Sequence, residues 1–145
     1  MNNNIKVAFV QKINEAEFET ETIWCERNGE NFVVDNIPFV AKRISLGDTI
    51  KAEYDEDDKM YYFDDFVKIS GNSTIRIFLY DDNKIESTRE WLNKNDCESE
   101  VLLVRSIVAV NIPQKVYYPV IRDFLEEGEK KGNWVYEESC LEHEY

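Results

Sequence analysis

The spacing of apolar residues changes at Gly71-Asn72, and that change limits what the chain can fold into. Ahead of it, short apolar runs recur with turn residues between them. Residues 5–10 (I-K-V-A-F-V) are apolar with partial alternation. Residues 20–26 and 31–37 flank Arg27-Asn28-Gly29-Glu30. A type I′ turn needs two residues that tolerate positive φ, so Asn28-Gly29 between strand-like runs predicts a hairpin with positive φ at both positions. Residues 49–54 and 60–69 form a second hairpin pattern around Asp55-Glu56-Asp57-Asp58. Pro38 lacks the donor that a ladder needs, and Gly47-Asp48 suits a tight turn. Five or six short strands this close together predict a small, strongly curved antiparallel barrel or sheet over residues 1–70.

After Gly71-Asn72 the pattern alternates strand and helix. Residues 74–80 (T-I-R-I-F-L-Y) read as a strand. Asn83 and Glu86 have capping-box spacing, and Ile85, Thr88, Trp91 and Leu92 share one helical face. Residues 101–112 hold one long strand, or two broken near Arg105-Ser106. Pro119 fits the first turn of a second helix, whose stripe is Val120, Ile121, Phe124 and Leu125. Lys130-Lys131 and Gly132 suit its end, and Trp134-Val135-Tyr136 begins a last strand. Residues 73–145 therefore read β-α-β-α-β, a ferredoxin-like plait or a fragment of one. Ile75, Ile77 and Leu79 are the more uniformly apolar set of their strand, so they are assigned to the helix-covered face. Arg76, Phe78 and Tyr80 then point the other way. The fold class is α+β, with the two halves expected to form one compact unit.

Charge bounds the function. Acidic residues outnumber basic ones 30 to 17, for a formal net charge of -13. A negative surface repels nucleic-acid phosphate and anionic membrane and attracts basic partners, although acidity for solubility alone is common. The basic pairs Lys42-Arg43 and Lys130-Lys131 are isolated, and the later strands lack the basic-aromatic interleaving of RNA platforms. Residues 107–110 (I-V-A-V), the longest apolar run, fall far short of a membrane span. The N-terminus carries no signal-peptide pattern. Cys25, Cys97 and Cys140 are far apart and form no C-x-x-C, which points to free thiols in the reducing cytoplasm.

Catalytic groups are sparse. His143 is the one histidine. With Cys140 it spells C-x-x-H, but a structural zinc site needs four ligands and no second pair completes it. The pair reads as a core-edge cysteine beside a solvated histidine, and no metal or cofactor is expected. Asp55-Glu56-Asp57-Asp58 lacks the glycine of a calcium loop, and Lys59 interrupts it, so it reads as a solvated hairpin tip. Asp64-Asp65 sits in an aromatic run. In a regular strand one of the two carboxylates faces the aromatic side, as an anchor or an acid of raised pKa. A β-bulge or strand end absorbs such a pair more simply. Glutamates 126, 127, 129, 137, 138, 142 and 144 make the last third strongly acidic without a helical stripe.

Several segments together resemble a bacterial family of uncharacterised domains of unknown function. They are the Trp strand Ile23-Trp24, then Asn36-Ile37-Pro38-Phe39, then the Gly47-Asp48 turn. The strand opening Gly71-Asn72-Ser73-Thr74-Ile75-Arg76 follows. Gly132-Asn133-Trp134-Val135-Tyr136-Glu137-Glu138 and Cys140-Leu141 close the pattern. The resemblance covers almost the whole chain and implies no activity.

The residues point to a non-catalytic, acidic protein-binding module. Size, charge and lack of catalytic groups are similar to those of immunity proteins that block basic, nuclease-like bacterial toxins. Asp55, Asp57, Asp58, Tyr61, Tyr62, Glu137 and Glu138 are the expected partner-binding residues, with acids steering and aromatics anchoring. The alternative is a small enzyme or ligand-binding domain with Trp24, Asp64, Asp65 and Arg76 lining a pocket between the halves.

Overall fold

The computed structural model describes residues 4–144. The chain divides into two compact units, residues 1–70 and 71–145.

The first unit is a closed five-stranded barrel: β1 (Asn4–Lys12), β2 (Phe18–Asn28), β3 (Asn31–Val34), β4 (Thr49–Asp55) and β5 (Met60–Lys68). Consecutive strands pair antiparallel. In such a meander the odd-numbered strands all run the same way, so closure of β1 on β5 is parallel, at Val7–Tyr61 and Ala8–Tyr62. Alternate residues point inward, and Val7, Phe9, Ile23, Cys25, Phe32, Val34 and Ile50 fill the core with Ala41 and Ile44.

The first hairpin lies one residue further along than expected. Asn28 pairs with Asn31, so Gly29-Glu30 is the two-residue turn. Gly29 has φ +64°, while Asn28 continues the strand outside the left-handed region. Positive φ at the first central position alone is the type II′ pattern, which accounts for Gly there.

The segment between β3 and β4 is a strap. Trp24 N–H donates to Asn36 Oδ1 at 2.9 Å. Phe39 N–H donates to Glu21 Oε2 at 2.7 Å, and the N–H groups of Val40 and Ala41 donate to Glu21 Oε1 at 2.9 and 2.8 Å. Lys42 N–H reaches Gln11 Oε1 at 3.1 Å. These bonds seat Ala41 and Ile44 in the barrel core. The carboxylate of Asp48, itself buried, takes N–H bonds from Ser45 and Ser70, each at 2.9 Å.

The second unit contains β6 (Ser73–Leu79), α1 (Ile85–Lys94), β7 (Glu98–Leu102), β8 (Ile107–Ile112), α2 (Tyr118–Lys130) and β9 (Trp134–Cys140). The break near Arg105-Ser106 is real: a 3-10 turn, Leu103–Arg105, ends at Ser106 with φ +54°, and separates β7 from β8. The order is thus β-α-β-β-α-β. With sheet order β7-β8-β6-β9, all antiparallel, it is the full ferredoxin-like plait.

Ile75, Ile77 and Leu79 join Leu92, Ile121 and Leu125 in the helix-covered core, as the parity argument requires. Val120 departs from the expected stripe and is half exposed, while Tyr118 and Gly128 take the inward positions. A 3-10 turn, Asp82–Lys84, leads into α1, so the helical segment is capped earlier than expected, and α1 itself has no side-chain cap. Asp81, not Asn83, accepts the capping bond, from Asn83 N–H at 2.9 Å. At the far end of α2, Gly132 N–H bonds Glu129 C=O and Asn133 N–H bonds Gly128 C=O, the paired bonds of a Schellman motif. Gly128 also makes room for Trp134, whose Nε1–H donates to Leu125 C=O at 3.0 Å.

Candidate functional site

The β4–β5 hairpin ends in Asp55-Glu56-Asp57-Asp58, all exposed. The tip is ordered by its own acids. Asp55 Oδ1 accepts the N–H groups of Asp57 and Asp58 at 2.9 and 3.0 Å, an Asx turn. Lys59 follows with φ +54° and returns the chain to β5. Tyr62 O–H donates to Asp58 Oδ2 at 2.7 Å. That bond, then desolvation and the charges of Asp58 and Asp55, push the Tyr62 hydroxyl pKa up. Asp55 and Asp58 are thus engaged in shaping the tip, while Glu56 and Asp57 offer their carboxylates outward.

Tyr61 and Tyr62 are neighbours, so in a strand they lie on opposite faces. Tyr61 packs against Phe32 and Tyr54, with centroids 5.1 and 5.0 Å away. Arg27 lies over both the Phe32 and Tyr61 rings and donates from Nη1 to Tyr61 Oη at 2.9 Å. Tyr62, with Glu53 opposite it on β4, shares the other face with Asp58. The expected aromatic pair is therefore split. Tyr62 sides with the acids, and Tyr61 belongs to an aromatic cluster that already holds a cation.

Glu137 and Glu138 lie on β9 of the plait, and each is tied to its own chain. Glu137 Oε1 sits 2.9 Å from Nε of Arg76, its cross-strand partner. Arg76 is almost fully buried, so this pair compensates a charge that would be costly alone. The Tyr118 hydroxyl donates a hydrogen bond to Glu138, and the Tyr136 hydroxyl donates one to Glu126. Burial first, and these carboxylates second, push both tyrosine pKa values up.

Trp24, Asp64 and Asp65 belong to the barrel and Arg76 to the plait. Lys51 pairs with Asp65 and Ala52 with Phe63, which leaves Asp64 as the extra residue of a β-bulge. Both carboxylates are exposed, and the bulge is the simpler of the two readings that the sequence offered for this pair. The bulge releases Asp64 from the alternation that a regular strand imposes.

His143 was expected in solvent beside Cys140, and it is docked instead. Its Nε2 lies 2.8 Å from Pro113 C=O, which only accepts, so Nε2 carries the proton. Nδ1 shares a hydrogen bond with Ser73 Oγ, and that oxygen accepts Glu142 N–H at 2.9 Å. Ser73 is fully buried, so the pair clasps the chain end and gives a substrate no path to the hydroxyl. All three cysteines are buried thiols. Burial, then nearby Asp35 and Asp96 respectively, push the Cys25 and Cys97 thiols up to about 12. Among the described residues no group of three or more His, Cys, Asp or Glu is placed to hold a metal ion. No helix among them is long and apolar enough to cross a membrane.

Residues 21–136 match a family described as Domain of unknown function (DUF4265). The chain belongs to this family. The family span begins at Glu21, the acid that holds the strap, and closes at Tyr136. Among curated proteins no match is found. Among solved structures, the chain resembles a hypothetical protein from Neisseria gonorrhoeae. The two are 24% identical with a TM-score of 0.85, over 99% of each chain. That likeness concerns the fold alone. Neither comparison points to catalysis.

Proposed function

We propose that this member of the family is a binding module without catalysis of its own, and that its β4–β5 tip docks on a basic protein. One observation carries the reading: an exposed acidic tip with a defined shape. Asp55 and Tyr62 hold the loop in place, so Glu56 and Asp57 are presented without the full entropic loss of ordering them on binding. Acidic steering raises association rate more than it adds final affinity, and Tyr62 supplies an aromatic contact beside the acids. A nuclease-like toxin, of the kind that immunity proteins block in the cytoplasm, is the partner class that the chain's size and charge fit. The small-ligand reading has less support. Asp64 and Asp65 stand in solvent on a bulge, and Arg76 is held by Glu137.

The test is capture of a partner from native cells, followed by a salt series and charge reversal. Binding should weaken as salt rises, and Asp57→Lys should weaken it further while leaving the fold intact. A captured protein that binds equally well in high salt, or that ignores Asp57→Lys, would refute docking at the tip.

A further inference from the structure

The plait sheet ends at β7. This strand pairs with β8 on one side and, among the described residues, with no strand on the other. Such an edge presents backbone donors and acceptors in a row, a template for one more strand. Beside it, α1 and β7 border an open groove of about 650 Å³, lined among others by Glu86, Arg89, Glu90 and Ser99.

Strand parity determines what an added strand would meet. Ser99 and Val101 point toward the helices: Ser99 Oγ accepts Arg89 Nε–H from α1 at 3.0 Å, and Val101 packs on the helix-covered core. Glu98 and Glu100 therefore point to the opposite face. On the helix side, Glu86 and Glu90 lie one turn apart along the groove. An added strand alternates its side chains in the same way. Its successive residues would face Glu86 and Glu90, then Glu98 and Glu100. All four are exposed, and none makes an ion pair with a described residue. Like charges one turn apart on a helix destabilise it mildly, and a cationic occupant would relieve that. Arg89 already marks such a place. Its Nη2–H donates to the Ser99 carbonyl at 2.8 Å, so a guanidinium lies across to β7.

We propose that the free edge of β7, with the groove beside it, docks an extended basic segment of a partner protein as an added strand, and that Arg89 covers the edge until the segment displaces it. This rests on the reading of the chain as a binder of basic protein, but not on the hairpin tip being where it binds. The probe is a short fluorescein-labelled peptide of Lys, Arg and Val, titrated by anisotropy against the full chain. Its analogue, N-methylated at alternate amides, keeps the charge and loses the ladder donors. The unmodified peptide should bind and weaken with salt, and the analogue should bind about tenfold less tightly, the loss expected when several backbone bonds cannot form. Glu86→Lys with Glu90→Lys should weaken binding, and Arg89→Ser should tighten it. All three positions are exposed, so circular dichroism should show unchanged folding. Equal binding of the N-methylated analogue would overturn the proposal, since charge alone would then suffice. Loss of peptide binding in Asp57→Lys but not in the Glu86/Glu90 variant would place the basic segment at the tip, leaving the proposed function standing and this edge without a role. Dimerisation of Arg89→Ser in sedimentation would assign the edge to a second copy and overturn it equally.

Discussion

Replacing Glu21 with alanine removes the acceptor for three consecutive backbone N–H groups, those of Phe39, Val40 and Ala41. A hydrogen bond to a charged group contributes about 1.5–3 kcal/mol net, so three set an upper bound well above 4 kcal/mol. Phe39 and Val40 are half-buried, and water can reach their freed donors, whereas Ala41 is fully buried. That trims the expected loss to about 3 kcal/mol. At a urea m-value of about 1–2 kcal/mol/M for so small a unit, the barrel midpoint should fall by about 2 M. Glu21→Gln is the finer probe. Its carbonyl oxygen can still serve Val40 and Ala41, but its NH₂ group then faces the Phe39 N–H. One lost bond and one opposed donor should cost about 1–2 kcal/mol. Hydrogen exchange read peptide by peptide separates the barrel from the plait. The amides of residues 39–41 should exchange faster in both variants, and faster in Ala than in Gln. If Glu21→Ala unfolds at the native urea concentration with unchanged exchange at these amides, the strap is not held by Glu21 and this reasoning fails.

Gly29→Val should destabilise the first hairpin by about 1 kcal/mol or more, because a β-branched residue resists φ +64° even with open space around it; urea unfolding measures it. Gly128→Ala would place a Cβ 1.9 Å from Trp134 Cζ2, so helix and ring must part, at a cost of about 1–3 kcal/mol visible in the Trp fluorescence transition. Leu125→Ala, at a fully buried site, should cost about 2–5 kcal/mol, whereas exposed Glu129→Ala should leave the same urea midpoint within error. Cys25 and Cys97, raised from 9.0 to about 12, should resist a thiol reagent at neutral pH until the chain unfolds. Their folded pKa values exceed the unfolded ones, so the stability they contribute is complete below about pH 9 and is lost as pH rises towards 12. An alkaline urea series should show midpoints falling across that window.

Periodicity made the plait legible because both of its signals are local. Ile75, Ile77 and Leu79 alternate within one strand, and Ile85, Thr88 and Leu92 repeat within one helix. The failures share a cause as well. Val120 fits a helical stripe, but Tyr118 fills the inward position with a larger side chain and a hydroxyl that finds Glu138. Asn83 has cap spacing, but Asp81 precedes it by two residues and accepts its N–H. Asn28-Gly29 marks the hairpin correctly, yet the register of β2 on β3 decides which two residues form the turn. In each case the motif was present, and a competitor one or two residues away took its role.

The acids show why the candidate site was harder to read than the fold. Glu21, Asp48, Asp55 and Glu137 look alike in sequence, yet only partners distant in the chain or exposed by the fold distinguish them. Glu21 on β2 holds the strap that follows β3, and Glu137 neutralises an arginine buried on β6. Gly47-Asp48 was legible as a turn, but nothing local tells that the Asp48 carboxylate reaches Ser70. His143 is the sharpest instance. A lone histidine near a chain end reads as solvated because its neighbours in sequence offer no reason to bury it. Its ring is placed by Ser73 from the start of β6 and by Pro113 just past β8. Those two atoms come together only because β6 and β8 pair Ser73 with Ile112. The clasp is therefore a product of sheet register, as is the pairing of Arg76 with Glu137, and neither can be read from residues adjacent in sequence.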